Sequence, residues 1–358
     1  MMAITSLSSA TGQEAPADRT APAYFYHGRT YGSERLVSPL RVIVNGGFGI
    51  LQLGNRSNRL ADIDWEVGWR SLWRNLGHPI DAIEETGWWE FFSNEIIPYS
   101  VDKDKAPYWP NYLNHLIGGG MTYRMMREYF AWHGFKHPTP WALATMTAYH
   151  LLNETVEMND RTDWRVDPIA DIYVFNVAGV LVFSSDSVSR FFGQTLNMSD
   201  WSFIPFYDPV SGKLENVGQN YMVRLRLGRT TPWSLLYHWC NGGEAGLSYH
   251  LGGGRSISLA GGLEAENLVK VNRHQDSVDL VRTAGLFYDR EGSLLFGALY
   301  TMAKDVRWQI NLYPGLIRVA GLEPAFSLIQ LQDDTVLVGM TLGNLPFLPC
   351  GLGGRVGD

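Results

Sequence analysis

Few residues in this chain combine the side-chain types and the spacing that chemistry needs. Leu143, Thr147, His150, Leu151, Glu154 and Met158 recur at helical spacing, which puts Glu154 on an apolar face with His150 one turn before it. Glu157 falls off that stripe and reads as solvated. Asp171 stands among Ile169, Ile172, Val174 and Phe175, either as a partner of a helix dipole or as a buried ion that needs a partner of its own. Asn176 follows. His115, preceded by Asn114, sits beside Gly118-Gly119-Gly120, a notch that lets another helix come near. His115, Glu154 and Asp171 form a His/carboxylate set suited to general acid–base work or to a divalent metal. With Asn114, His150 and Asn176 they also suit a hydrogen-bonded network that fixes helix register, and that structural role is the expected one. Glu154 and Asp171 are expected to be buried and to share a network with His115, Asn114, Tyr123 and Asn176 being alternative donors. No GxSxG, P-loop, HExxH or dinucleotide fingerprint occurs, and no cofactor is implied. Cys240 and Cys350 lie far apart without a CxxC or Cys/His cluster, so a zinc or redox motif has no support.

The elements that carry these residues show in the hydrophobic period. Residues 1–36 are aperiodic and rich in Pro, Ser, Thr and Ala, and read as a disordered or processed arm without a basic n-region. Residues 42–53 (VIVNGGFGILQL), within a unit at 37–56, read as a strand that pairs with the C-terminal sheet at 335–343. A helical unit of five helices follows over 57–200, at about 65–76, 80–95, 111–132, 139–158 and from 167 onward. The fifth is apolar nearly all round and is expected at the centre of the unit. The first carries Trp65, Trp69 and Trp73, which with Trp88 and Trp89 suit core packing or a membrane surface alike. Residues 201–345 form the last unit, and from about Asn220 the period is two, as in Val223-Arg224-Leu225-Arg226-Leu227 and Leu247-Ser248-Tyr249-His250-Leu251. The same holds at 308–312 and 338–342, and further strands are expected at 232–240, 255–269, 279–289, 293–302 and 324–332. The fold class is α+β: the helical unit inserted after a first strand, then an antiparallel β-barrel or curled meander of roughly eight to nine strands, with 346–358 as a tail.

Composition narrows the partners. Of 358 residues 45% are hydrophobic and only 18% charged, the net charge is −7, and no block of Lys and Arg occurs, so nucleic acid is not a partner. Aromatic residues reach 13%, with 13 tryptophans, which suits a lipid interface. Alternation of bulky apolar with polar residues over strands of about ten fits an outer-membrane-type barrel with lipid outside and a polar interior. A soluble lipocalin-like barrel is the alternative, with its large residues pointing inward.

Asn114-His115, Gly118-Gly119-Gly120, Asn153-Glu154 to Glu157, and then Asp167, Asp171, Asn176 and Gly179, occur in the order in which an early His, a Glu near a helix end and an Asp…Asn…Gly helix recur in VanZ-like modules. Residues 100–185 thus resemble the VanZ-like helical module and related uncharacterised bacterial envelope proteins. The resemblance implies an envelope location and a buried polar cluster, with no settled activity. Asp171 and Asn176 are five residues apart, a spacing that in an α-helix does not keep two side chains on one face. The chain is therefore expected to be an envelope protein of the outer membrane that binds lipid or an unspecified protein partner. The alternative is a membrane-surface hydrolase acting on a lipid-linked substrate through His115, Glu154 and Asp171.

Overall fold

The computed structural model describes residues 22–97, 111–228, 230–239, 241–270, 276–319, 322–343, 345 and 347–357. Most of the expected N-terminal arm, and Cys240, lie outside the described residues.

The first helix is a correction. Ser38 caps α1 (Pro39–Gly47), its side chain accepting from the Arg41 N–H at 3.4 Å, and Pro39 pre-sets the first turn. A 3-10 turn, Gly49–Gln52, follows, so the strand expected at 42–53 does not form and cannot pair with 335–343. Its glycines serve helix packing instead. A Cβ on Gly46 would lie 2.3 Å from the ring of Tyr149, and one on Gly47 2.5 Å from Leu152, so only glycine lets α1 lie this close to α6 (Pro138–Glu157).

Between these two helices come α2 (Trp65–Gly77), α3 (Pro79–Thr86), α4 (Trp88–Phe91) and α5 (Gly120–Trp132). The single helix expected at 80–95 is broken at Gly87, whose φ of 105° only glycine adopts readily, and ends in a π turn, Phe92–Ile96. A π segment, Asn111–Gly119, runs into α5. A second one, Ala170–Asn176, joins α7 (Asp167–Ile169) to α8 (Val177–Ser184), and α9 (Asp186–Arg190) follows.

The apolar faces sit differently from expectation. On α2, Leu72 and Leu76 are buried, whereas Trp65, Trp69 and Trp73 are exposed, as are Trp88 and Trp89, the last at 73%. The span Asp167–Ser184 is long and apolar enough to cross a membrane, but it is not central: Tyr173, Val174, Val177, Leu181 and Val182 face outward. Phe175, Gly179 and Phe183 face the bundle.

The segments of period two are strands. They are β4 (Tyr221–Arg226), β5 (Trp233–Trp239), β6 (Gly242–Gly252), β7 (Arg255–Lys270), β8 (Asp276–Arg290), β9 (Ser293–Thr301), β10 (Val306–Leu312), β11 (Pro324–Leu331) and β12 (Val336–Leu342). Three short strands precede them, β1 (Ser199–Asp200), β2 (Phe206–Asp208) and β3 (Lys213–Glu215). The expected tail contains β13 (Gly351–Arg355), whose glycines gave no alternation to read. The sheet has 13 strands in the order β1-β4-β5-β6-β7-β8-β9-β10-β11-β12-β13-β2-β3, antiparallel except at β13–β2.

This sheet is not a closed barrel: among the described residues no ladder joins β4 to β13. One connecting segment serves both rims. The Arg224 N–H donates to the Leu196 carbonyl and β1 pairs with β4, while the Gly351 N–H donates to the Pro205 carbonyl and β2 pairs with β13. The sheet is strongly curled. Arg224 on β4 and Asp289 on β8 are four strands apart, about 19 Å in a flat sheet at ~4.8 Å per strand. Their side chains nevertheless meet, Nη2 to Oδ2 at 2.5 Å and Nη1 to Oδ1 at 3.3 Å.

Inside the curl the polar groups find one another. Arg224 also donates to Ser248, His238 pairs with Glu244 at 2.8 Å, Thr283 donates to Glu244, and the Asn216 amide bridges Asn311 and Ser327. The alternate residues, Leu225, Trp233, Leu235, Leu247, Tyr249, Ile257, Leu259 and Leu286 among them, are exposed.

Candidate functional site

The helical unit brings its three candidate residues together. His115 comes from the first π segment, Glu154 from α6 and Asp171 from the second π segment. One ligand atom from each lies within 4.8 Å of those from the other two. All three are buried, at 7%, 0% and 4% exposure. His115 Nε2 is 3.0 Å from Asp171 Oδ2, and its Nδ1 is 3.2 Å from Asn176 Oδ1.

The five-residue spacing that separates Asp171 from Asn176 in an α-helix is corrected here by the π turn. With i→i+5 bonding, five residues make about one turn, so both side chains reach the same imidazole. The glycine notch supplies the approach. A Cβ on Gly120 of α5 would meet Phe183 at 2.3 Å, and one on Gly179 of α8 would meet the Leu116 carbonyl at 2.8 Å, so α8 lies against the first π segment and the start of α5 through glycine.

The electrostatics are uneven. Burial opposes a charge on His115, but Asp171 and the hydrogen bonds to Asp171 and Asn176 outweigh it and hold the ring above the ordinary histidine range. His150 is pushed well below that range by burial and then by the charge of His115. Its ring stacks on Tyr149 at 3.8 Å and lies 5.1 Å from that of His115, and neither nitrogen has a hydrogen-bond partner. Burial, followed by the negative charges of Asp171 and Glu157, drives the Glu154 carboxyl well up. Neither Glu154 oxygen accepts a hydrogen bond in good geometry, the Asn153 amide nearby offsetting only a small part of the burial, and Asp171 Oδ1 has no partner either.

The expected network is thus half made: His115 joins Asp171 and Asn176, while Glu154 stands beside them unbonded. Asn114 lies on the same turn as His115. Tyr123 is elsewhere, accepting from Ser184 at 3.4 Å. Glu157 is half-buried rather than solvated, and with Asp167 it forms a second group around Glu154, again within 4.8 Å. The Asp167-Pro168 pair reads as a helix start, and that reading hides the carboxylate's inward position. Such an arrangement can hold a divalent cation or exchange a proton between His115 and a carboxylate.

A second polar place escaped sequence reading. At the sheet's mouth a cavity of about 560 Å³ is lined by Arg29, Glu34, Arg224, Arg226, His250 and Arg255, among others. The alternating arginines at 224 and 226 and the Gly252-Gly253-Gly254 turn were its only signal. Compared with protein-family models, curated proteins and solved structures, the chain matches none.

Proposed function

We propose that this chain is an envelope protein embedded in lipid through the outer face of its sheet, with a helical unit of VanZ-like type covering the polar interior, and that lipid is what it binds. One observation carries the reading: along β5 to β8 a row of bulky apolar residues faces outward. Ser258 on β7 is 1% exposed while its neighbour Leu259 is 66% exposed, and the same alternation runs through β5, β6 and β8. Exposing a Leu rather than burying it forgoes ~1.5–3 kcal/mol in water, and a row of them is sustained only where the surroundings are apolar. Strands β6, β7, β8 and β9, with 11, 16, 15 and 9 residues, have the length a tilted strand needs to cross hydrocarbon. The segment 196–208 supports the reading by giving both rims backbone partners, which lipid does not provide. Exposed Trp65, Trp69 and Trp73 on α2 fit the headgroup zone. The lipocalin-like alternative draws on the apolar cluster inside the curl, with Trp201, Met222, Leu236, Phe287 and Leu294 buried there, but it leaves the outward row of leucines without a role.

Expression followed by high-salt and carbonate washing tests the proposal. The protein should stay in the membrane pellet and come out with detergent. Quantitative recovery as a monomer in detergent-free buffer would overturn it.

A further inference from the structure

The geometry points to a binding site for a first-row divalent cation, such as Zn²⁺ or Mn²⁺, with His115 Nε2, Glu154 and Asp171 as its protein ligands and Asn176 orienting the histidine. The inference stands apart from the lipid reading, since it rests on the helical unit alone.

The first observation is spacing. Nitrogen and oxygen ligands bind such ions at about 2.0–2.2 Å, so adjacent ligands around one ion sit ~3 Å apart. His115 Nε2 and Asp171 Oδ2 are 3.0 Å apart, and the Glu154 carboxylate completes a triangle no wider than 4.8 Å.

The second is orientation. A histidine that binds a metal through one nitrogen commonly donates the other N–H to an oxygen that fixes its tautomer. Asn176 Oδ1, 3.2 Å from Nδ1, is placed to accept that proton and leave Nε2 turned to the carboxylates. The π turn is what makes this possible, because it aims Asp171 and Asn176 at the two sides of one ring.

The third is the orphaned atoms. Neither oxygen of fully buried Glu154 accepts a hydrogen bond in good geometry, and Oδ1 of Asp171 lacks a partner; such groups are costly unless something binds them. A cation at the centre of the triangle satisfies Glu154 and Asp171 together. One imidazole and two carboxylates form a borderline-to-hard set that suits Zn²⁺, Mn²⁺ or Fe²⁺ and disfavours soft ions.

The test uses the full chain, purified in detergent and stripped with chelator. Zn²⁺ and Mn²⁺ are each titrated against a competing chromophoric chelator, and bound metal is counted by elemental analysis. Wild type should take up one ion per chain at micromolar or tighter Kd, and its Tm should rise with Zn²⁺ and fall back with chelator. Glu154→Gln and His115→Gln should weaken binding at least 100-fold, Asn176→Ala about 10–100-fold, and Glu157→Gln should keep the ion. Circular dichroism of each variant checks that the helices persist; the metal-dependent Tm of wild type keeps the test decisive if one does not fold. No stoichiometric uptake by wild type, or uptake that survives both Glu154→Gln and His115→Gln, overturns the site.

Discussion

Truncating Asp289 should be among the most damaging single changes in the sheet. Its carboxylate is fully buried and takes two bonds from the Arg224 guanidinium, which also donates to Ser248 and Ser256. Asp289→Ala removes the counter-charge and leaves an arginine enclosed in protein with two hydroxyls, a type of change that costs ~3–5 kcal/mol. At ~1.4 kcal/mol per decade this is roughly two to three and a half decades in the unfolding equilibrium. Arg224→Met should cost a similar amount. The double variant Arg224→Met/Asp289→Leu replaces the pair with apolar groups and should lie within ~2 kcal/mol of wild type; with Arg224→Met and Asp289→Leu as the singles, each costing at least ~3 kcal/mol, the coupling energy is at least ~4 kcal/mol. Equilibrium denaturant unfolding in micelles, followed by tryptophan fluorescence, measures all four corners of the cycle. A coupling near zero, or Asp289→Ala within ~0.5 kcal/mol of wild type, would mean that β4 and β8 do not meet and that the sheet is not curled as described.

The glycine contact of α8 with the first π segment gives a sign test. In an unpacked helix Gly179→Ala gains ~0.5–1 kcal/mol, but here the new Cβ meets backbone 2.8 Å away at the Leu116 carbonyl, so a loss of ~1–3 kcal/mol in thermal unfolding is expected. Lys304, between β9 and β10, gives a pH test. Burial, only partly offset by Glu215, holds its ammonium down at about 8 against an ordinary 10.5. A depressed folded-state value means that its stability contribution is complete above pH 10.5 and is lost as pH falls through about 8, a span of ~3 kcal/mol that Lys304→Met should flatten. Replacing Trp65, Trp69 and Trp73 with glutamine should leave unfolding stability nearly unchanged, since all three are exposed, while weakening retention of the protein on lipid vesicles in flotation.

The nine strands with period two were legible because each places bulky residues on one face and small or polar ones on the other. What the alternation could not show is which face looks outward, since both senses give the same string. It also could not show that the sheet stops short of closing. Residues 42–53 misled because Val, Ile and Gly together resemble a strand, although Ser38-Pro39 just before them is a capping serine followed by a first-turn proline. Strand β13 was hidden by glycines that present no side chains to alternate. At the site, the convergence of His115, Glu154 and Asp171 was readable from helical stripes and the glycine notch. The π geometry was not, because nothing in composition distinguishes a five-residue repeat from a four-residue one; the inward positions of Glu157 and Asp167, at the end of α6 and the start of α7, were missed because both read as ordinary helix-end carboxylates. The tryptophans of α2 keep helical spacing with Leu72 and Leu76 but belong to the opposite edge of the stripe, so spacing alone could not place them outside.

The most direct measurement is a nitroxide scan along β7 in lipid bilayers, one label at a time from Ser256 to Leu263, comparing collision with oxygen, which concentrates in hydrocarbon, against a water-soluble nickel chelate. Labels at Ile257, Leu259 and Leu263 should be open to oxygen and closed to the chelate, and labels at Ser256, Ser258 and Ala260 should be shielded from oxygen, giving a period of two along the strand. Chelate access at Ile257 and Leu259 as high as at the Gly252-Gly253-Gly254 turn, with no excess of oxygen, would place the outer face in water and contradict the lipid-embedded sheet.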